Sequence, residues 1–189
     1  KIRIYEPGKS GKTLSKKKNI KLSSNESPIQ LSKKTIKKIN NIKIDLAKYP
    51  DPECNRLREK ISKKYNINSK NIIFGNGSDE LFFLISYCFL NAKLQGLYSK
   101  HGFLIYPIAI NAASAKCVYA NEKNLKADVN QLLRKSSKTT RICFIANPNN
   151  PTGTYLSRKE IKKLREGLPK KCILVIDSAY SEYVVEKDG

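Results

Sequence analysis

The residues from Ile142 to Tyr180 restrict the possible folds of this chain more than any other stretch. Ile142–Ala146 is a short apolar run of the kind found in buried parallel strands. The sequence Asn-Pro-Asn-Asn-Pro-Thr-Gly follows, a cluster of turn-forming residues that ends the strand. A helix is predicted next, because Ser157 and Glu160 have the spacing of a capping box and precede apolar residues at helical intervals.

A second strand completes this stretch. Pro169 ends the predicted helix, and residues 172–176 form another apolar run, which ends at Asp177. Strand, helix and strand together predict a right-handed βαβ crossover in a parallel sheet. Ligands bind at the carboxyl ends of the strands in open α/β sheets. The polar residues that follow both strands are therefore candidate site residues.

A glycine-rich turn near residue 75 is a second candidate site. The sequence Gly75-Asn-Gly-Ser-Asp-Glu80 lies between a predicted strand at Asn71–Phe74 and a predicted buried helix that extends to about Phe89. The glycines permit a tight turn, Ser78 is predicted to be the N-cap, and the N–H groups of the first helical turn suit an anion. On its own, the pattern also fits an ordinary capped helix without a ligand.

Apolar periodicity and turn residues predict the remaining elements. We expect strands at residues 95–99 and 115–120, and helices after Ser32, from about Glu53, from Ile105 to Ser114 and from Asp128. Residues 1–21 are polar and basic, and they are predicted to form an extended arm.

The formal charge of +21 would suit a nucleic-acid-binding protein. The lysines, however, are spread along the chain, mostly on the polar faces of predicted helices, and no aromatic residues are interleaved with a basic patch. We therefore expect no nucleic-acid binding, and a basic nucleic-acid-binding fragment is only a minor alternative. No apolar run approaches the roughly 18 to 20 residues of a membrane span, and no secretory signal is visible, so we expect a cytoplasmic protein.

The cysteines and the histidine argue against a metal centre. The five cysteines are widely spaced and include no C-x-x-C pair, which disfavours both a disulfide framework and a zinc site. Buried free thiols are expected instead. The sequence has one histidine, His101, which we interpret as a loop residue near the site, and we expect no bound metal.

The order of the motifs resembles that of a known family. Asn-Pro-Asn-Asn-Pro-Thr-Gly followed by Asp-x-Ala-Tyr is similar to the pyridoxal-phosphate-dependent aminotransferases of fold type I, and more narrowly to the histidinol-phosphate aminotransferases. The resemblance implies a three-layer α/β/α large domain with a mostly parallel sheet, present only in part. It also implies an N-terminal arm and small-domain segment at residues 1–48, and the first part of the cofactor-binding large domain at residues 49–189.

The resemblance assigns roles to individual residues. The cofactor would be pyridoxal 5'-phosphate, with Asp177 paired to its ring nitrogen, and Asp177 and Tyr180 would be the catalytic residues. Further contacts with the cofactor are implied for the residues that match the family motifs, namely Gly77, Ser78 and Asp79 at the phosphate, Phe103 stacked on the ring, and Asn150 and Tyr180 at the ring oxygen.

Two residues nearer the start of the chain complete the implied site. Tyr49, in a Tyr-Pro-Asp loop, would reach the cofactor phosphate of the other subunit, which implies a homodimer. Asn25 and Tyr49 would also bind the substrate.

The resemblance implies amino-group transfer between L-histidinol phosphate and 2-oxoglutarate, with glutamate as the other amine, in histidine biosynthesis. An aromatic amino acid aminotransferase or a threonine-phosphate decarboxylase of the same fold is the alternative. No lysine here lies in the context of the family's Schiff-base lysine, and the arginines that bind the substrate carboxylate are also missing. We therefore expect the chain to be the N-terminal part of a longer enzyme and to be inactive alone.

Overall fold

The computed structural model describes residues 24–27, 29–42 and 47–185. The extended arm predicted for residues 1–21 lies outside the described residues. The chain divides into two compact units, one that ends at Ile72 and one that begins at Ile73. The predicted domain boundary between residues 48 and 49 stays a prediction.

The unit that ends at Ile72 contains two short helices, α1 (Lys33–Asn40) and α2 (Asn55–Tyr65). Helix α1 begins where predicted, because the Ser32 side chain accepts a hydrogen bond of 3.1 Å from the backbone N–H of Thr35. Neither helix has a buried residue. Their apolar side chains therefore contribute little core within the described part of this unit.

The predicted strand at Asn71–Phe74 is wrong. Residues Ser69–Asn71 form a 3₁₀ helix, and the three residues that follow join no strand ladder in the described part of the chain. The Arg58 guanidinium explains the difference, since it donates hydrogen bonds to the carbonyl groups of Ser69 and Ile72. A side chain distant in sequence thus takes backbone acceptors that a neighbouring strand would otherwise use.

The unit that begins at Ile73 alternates helices and strands. Its elements in chain order are α3 (Gly77–Phe89), β1 (Gln95–Ser99), α4 (Ile105–Ala112), β2 (Lys116–Ala120), β3 (Glu122–Lys123), β4 (Lys126–Ala127), α5 (Val129–Lys135), β5 (Thr140–Ala146), α6 (Arg158–Gly167) and β6 (Ile173–Asp177). A 3₁₀ helix at Ser181–Tyr183 follows. Apart from β3 and β4, these elements match the predicted ones.

Four of these strands form one parallel sheet, in the order β2-β1-β5-β6. The predicted pairing of β5 with β6 is confirmed, and its register runs from Ile142 beside Ile173 to Ala146 beside Asp177. The backbone N–H of Asn147 donates a hydrogen bond of 2.9 Å to the carbonyl of Asp177. The register therefore brings the ends of both strands, and the loops that follow them, to one edge of the sheet.

Helices cover both faces of the sheet. Alternate residues of β5 point to opposite faces, so each face has its own buried cluster. On one side, Ile142 and Phe144 pack in a buried cluster with residues of α3 and α4. On the other side, Cys143 and Ile145 pack with residues of α5 and α6. This arrangement confirms a three-layer α/β/α architecture. No helix in the described ranges is long and apolar enough to cross a membrane.

Helix α3 is less buried than its sequence suggests. Phe82 and Ser86 are buried, but Leu84, Tyr87 and Phe89 are exposed, because only one face of the helix packs against the rest of the unit. Cys88 is also exposed, so the prediction of buried thiols is wrong for this cysteine. The prediction is right for Cys143 and Cys172 and holds in part for the half-buried Cys54 and Cys117.

The β3–β4 hairpin was not predicted from the sequence. Its two turn residues, Asn124 and Leu125, have positive φ angles of 52° and 61°. Two-residue hairpins require such angles, and they usually contain glycine or asparagine there. A leucine in this conformation is uncommon. The sequence therefore lacked the usual signal for a hairpin.

The capping box at the start of α6 is present as predicted. The backbone N–H of Ser157 donates to Glu160 Oε2 over 2.8 Å, and the N–H of Glu160 donates to Ser157 Oγ over 3.3 Å. Lys126 Nζ lies 3.0 Å from the same carboxylate oxygen. Burial alone would raise the pKa of Glu160, but the hydrogen bonds from Lys126 and Ser157 outweigh it and hold the pKa below its ordinary value.

Replacing Glu160 by Gln should lower the free energy of unfolding at neutral pH by about 0.5 to 1 kcal/mol. Because the pKa is lower in the folded chain, the carboxylate stabilises the fold above its unfolded pKa of 4.5, and this contribution is lost as the pH falls through the folded value. Urea unfolding of both proteins at about pH 7 and about pH 3 measures the difference. A difference of the same size at both pH values would contradict the assignment.

Candidate functional site

Asp177 lies at the carboxyl end of β6, half-buried, and both of its carboxylate oxygens accept hydrogen bonds. Oδ1 accepts from the backbone N–H of Ala179 over 3.2 Å, and Oδ2 accepts from the hydroxyl of Tyr106 over 2.8 Å. A carboxylate can accept about four hydrogen bonds. Asp177 is therefore held at two points and keeps acceptor capacity for a ligand.

Tyr106 is the buried partner of Asp177. It is the second residue of α4, its exposed fraction is 0%, and its ring stacks on Phe144 of β5 with centroids 5.1 Å apart. Phe82 and Phe103 present ring edges to it, at centroid distances of 5.1 Å and 5.8 Å. Tyr106 was not among the site residues predicted from the sequence. One signal could have found it, since a tyrosine inside an apolar helix needs a partner for its hydroxyl.

The start of α3 differs from the prediction in one respect. The N-cap is Asn76, not Ser78, and Ser78 is the second residue of the helix. The reason is local. Gly77 adopts a φ of +76°, which turns the chain before Ser78, and the Glu80 carboxylate accepts the backbone N–H of Asn76 over 2.5 Å. Glu80 thus holds the residue that precedes the helix, and the Ser78 side chain does not cap it.

This helix start is open to a ligand. Ser78 and Asp79 are exposed, and their backbone N–H groups donate to no residue in the described ranges. A Cβ built on Gly77 would meet no atom within 4 Å. Free N–H groups at the N-terminus of a helix attract anions, and the helix dipole adds to the attraction. The geometry therefore suits a phosphate group.

Two carboxylates, Asp79 at the start of α3 and Asp177 at the end of β6, lie close enough to affect each other. Partial loss of solvent around the Asp79 carboxyl raises its pKa, and the nearby charge of Asp177 raises it further. The pKa of Tyr106 is raised far above its ordinary value, first by burial and then by the charge and hydrogen bond of Asp177 and the charge of Asp79. Neither carboxylate has an ion-pair partner in the described part of the chain. The site therefore favours a cationic group beside Asp177.

Phe103 lies on the loop between β1 and α4, and Glu122 fixes the start of that loop. Glu122 Oε1 accepts from the Ser99 hydroxyl over 2.5 Å and from the His101 N–H over 2.9 Å, and Oε2 lies 2.7 Å from His101 Nδ1. The Glu122 side chain is 2% exposed. Glu122 was missed because it belongs to the unpredicted hairpin, and the predicted loop position of His101 is confirmed.

The loop after β5 carries Asn150 and is tied to its surroundings by other asparagines. Asn149 is buried, and its side chain donates to the His101 carbonyl over 3.1 Å. The Asn147 side chain exchanges two hydrogen bonds with the backbone of Leu156. Asn150 and Tyr180 are half-buried, in the loops after β5 and β6 respectively. Their predicted contacts with a cofactor stay predictions.

The predicted site residues thus fall into two groups. The residues of the unit that begins at Ile73 lie at one edge of its sheet or at the start of α3, and they are Gly77, Ser78, Asp79, Phe103, Asn150, Asp177 and Tyr180. Asn25 and Tyr49 lie in the other unit, where both are exposed. In the described ranges, no cluster of His, Cys, Asp and Glu could hold a metal ion.

Comparison with known protein families identifies the family of this chain. Residues 17–188 match the family described as aminotransferase class I and II. The chain belongs to that family. The parallel sheet, with its helices on both faces, is therefore part of an aminotransferase fold.

Curated relatives narrow the resemblance within the aminotransferase family. The chain is 43% identical to a histidinol-phosphate aminotransferase of Pelagibacter ubique over 189 residues, which cover 100% of this chain and 52% of the relative. It is also 43% identical to the Rhodopseudomonas palustris enzyme of the same name over 187 residues, with 99% and 51% covered. The chain therefore spans about half the length of the curated relatives it matches.

Solved aminotransferase structures have the same fold. A histidinol-phosphate aminotransferase from Sinorhizobium meliloti in complex with pyridoxal-5'-phosphate matches with a TM-score of 0.71 at 25% identity, and covers 76% of this chain and 39% of its own. A putative one from Erwinia carotovora matches with a TM-score of 0.76 at 22% identity, over 87% of this chain and 49% of its own. These matches confirm the predicted fold class.

Proposed function

We propose that this chain is the cofactor-binding part of a pyridoxal-phosphate-dependent aminotransferase that acts on L-histidinol phosphate and 2-oxoglutarate in histidine biosynthesis. The observation that carries the proposal is Asp177, a carboxylate at the carboxyl end of β6, with Asp79 nearby and open N–H groups at the start of α3. The 43% identity to curated histidinol-phosphate aminotransferases supports the substrate.

The residues present fit pyridoxal phosphate. The cofactor has a phosphate at one end and, when its ring nitrogen is protonated, a positive charge at the other. The N–H groups of Ser78 and Asp79 suit the phosphate, while the Asp177 carboxylate suits the protonated nitrogen. Phe103 is half-buried beside Tyr106 and offers an apolar surface for the ring. The donors and acceptors of the site therefore match both ends of the cofactor.

The bound cofactor supplies an electron-accepting ring, and the protein supplies placement and electrostatics. Asp177 keeps the proton on the ring nitrogen, because its negative charge stabilises the protonated form. Asn150 and Tyr180 donate hydrogen bonds to the ring oxygen and so orient the ring. Gly77 supplies the tight turn that points the helix N–H groups at the phosphate.

We also propose that the full-length enzyme is a homodimer in the cytoplasm. In that dimer, Tyr49 of each subunit reaches the cofactor phosphate held by the other, and its single hydroxyl donor turns to the substrate phosphate when histidinol phosphate is bound. Asn25 also contacts the substrate. Tyr49 is 102% exposed, which suits a residue that binds a partner. The small-molecule substrates are the amine, the keto acid and their products.

Two other activities of the same fold receive less support. An aromatic aminotransferase from Pyrococcus horikoshii and an L-threonine-O-3-phosphate decarboxylase from Porphyromonas gingivalis match this chain with TM-scores of 0.64 and 0.63. Each is 23% identical, a level that reflects the shared fold alone. The 43% identity to the histidinol-phosphate enzymes favours that substrate.

The full-length protein should prefer histidinol phosphate to histidinol, phenylalanine and tyrosine in kcat/KM by about 5- to 150-fold. A substrate without the phosphate leaves a donor such as the Tyr49 hydroxyl unpaired, which costs about 1 to 3 kcal/mol when the donor is buried by the ligand. Single-turnover conversion of the cofactor with each amine measures the preference. It should shrink in Tyr49→Phe and persist in Tyr65→Phe, a matched change at another exposed tyrosine.

Two results would change the proposed substrate and activity. Faster conversion by phenylalanine or tyrosine would indicate an aromatic aminotransferase. Release of carbon dioxide from phosphorylated threonine would indicate the decarboxylase.

A further inference from the structure

We propose that Tyr106 is a positioning residue for the cofactor, because its hydroxyl holds the Asp177 carboxylate in the orientation that receives the ring nitrogen. This inference rests on the proposed function, since it assigns a task to a residue behind the proposed site. The main evidence is the hydrogen bond of 2.8 Å that the Tyr106 hydroxyl donates to Asp177 Oδ2.

The surroundings of Tyr106 show why a tyrosine stands there. Its ring lies among the rings of Phe82, Phe103 and Phe144, at centroid distances from 5.1 to 5.8 Å. A phenylalanine would pack in this aromatic cluster equally well. A hydroxyl in such surroundings is unfavourable unless it is hydrogen-bonded. Asp177 is its one hydrogen-bond partner in the described part of the chain.

The hydroxyl is a permanent donor. Burial and the charge of Asp177 raise the pKa of Tyr106 far above its ordinary value, so the phenol is protonated and acts as a donor at neutral pH. Its ring cannot move freely, because it stacks on Phe144 with an interplanar angle of 6°. The direction of the hydrogen bond is therefore fixed by the core.

Two fixed donors orient the carboxylate. Ala179 N–H bonds to Oδ1 and Tyr106 bonds to Oδ2, and together they oppose rotation of the carboxylate about its last torsion angle. The same tyrosine ring also contacts Phe103. Tyr106 thus contacts both Asp177, the proposed partner of the ring nitrogen, and Phe103, which is proposed to stack on the ring.

The test compares two ligands of the full-length protein. Pyridoxamine 5'-phosphate binds without a covalent bond to lysine, so its affinity reports the contacts of the site. Its analogue with C–H in place of the ring nitrogen cannot pair with Asp177. Tyr106→Phe should weaken binding of pyridoxamine phosphate about tenfold and binding of the analogue less than twofold.

Two further variants separate positioning from packing. In the Asp177→Asn protein, adding Tyr106→Phe should change the affinity for pyridoxamine phosphate less than twofold, because the carboxylate through which Tyr106 acts is already gone. Tyr119→Phe, the same change at a residue that is 49% exposed, should affect neither ligand. The melting temperature without ligand shows that each variant is folded.

A measurement without a core substitution gives an independent result. In the cofactor-free protein, the hydroxyl proton of Tyr106 should be protected from exchange and visible by NMR, and it should disappear in Asp177→Ala. Its absence from the unsubstituted protein would overturn the inference.

Equal weakening of both ligands by Tyr106→Phe would show that the residue only fills the core, and would overturn the inference while leaving the proposed function in place. Failure of the unsubstituted protein to bind pyridoxamine phosphate at all would overturn both.

Discussion

Replacing Asp177 by Asn in the full-length protein should lower the rate of transamination by at least about 100-fold. Asparagine keeps the shape of the side chain but removes the charge that stabilises the proton on the ring nitrogen. The protein should still bind the cofactor phosphate, because the N–H groups at the start of α3 are unchanged. Single-turnover rates with histidinol phosphate, measured at saturating cofactor, test the expectation.

Glu182→Gln is the matched control for this substitution. Glu182 is an exposed acid that follows Asp177 closely in the chain, so its replacement removes the same charge outside the proposed site. Its effect on the rate should be less than twofold, as expected for a surface substitution. Near-normal activity of the Asp177→Asn protein would remove Asp177 from the mechanism.

Replacing Ser78 by Asp should lower the affinity for pyridoxamine phosphate by at least about 100-fold, because like charges placed side by side cost several kcal/mol. The stability of the fold, in contrast, should not fall. Ser78 is the second residue of α3 and is exposed, and a carboxylate in the first turn of a helix interacts favourably with the helix dipole. The melting temperature without ligand should therefore be maintained while ligand binding is lost.

Asn130→Asp provides the control for the Ser78 substitution. Asn130 is the exposed second residue of α5, so the change introduces the same charge at the same position of another helix. Ligand affinity should be unaffected there. Unchanged affinity in the Ser78→Asp protein would mean that the start of α3 does not bind the phosphate.

The parts of this fold that could be predicted from the sequence depend on neighbouring residues. The capping box of Ser157 and Glu160 is complete within one turn of helix, and the apolar residues of β5 and β6 are contiguous. The predicted parallel crossover placed Asp177 at the carboxyl end of its strand, where the structure has it. The polar residues after β5 and β6 were candidates for the same reason, while the roles of individual residues came from the resemblance to the aminotransferases.

The errors have a common physical cause, which is a contact or backbone angle that the local pattern does not encode. Arg58 takes the carbonyl of Ile72, so no strand forms there. Helix α3 begins at Gly77 and not after Ser78, because Gly77 turns the chain earlier and Glu80 holds the N–H of Asn76. In each case a single side chain or angle outweighs the local propensity, as tertiary context commonly does.

The site residues that were missed are those whose partners lie far away in sequence. Tyr106 meets Asp177 across 71 residues, and Glu122 meets His101 across 21 residues. Their importance follows from these pairings, which exist only after folding has brought the side chain of Tyr106, at the start of α4, within reach of the carboxyl end of β6. Motif spacing could identify Asp177, but not the residue that holds it.

The position of β6 also affects how the chain behaves in solution. Within the described residues, β6 is an outer strand of the sheet, with β5 on one side only, and Ile176 is 42% exposed. Natural proteins protect such edges with lysine, proline or bulges. The strand Ile-Leu-Val-Ile-Asp has none of these, and its one charged residue is the aspartate reserved for the cofactor. In solution, a strand edge without these devices is a ready template for pairing with a further strand.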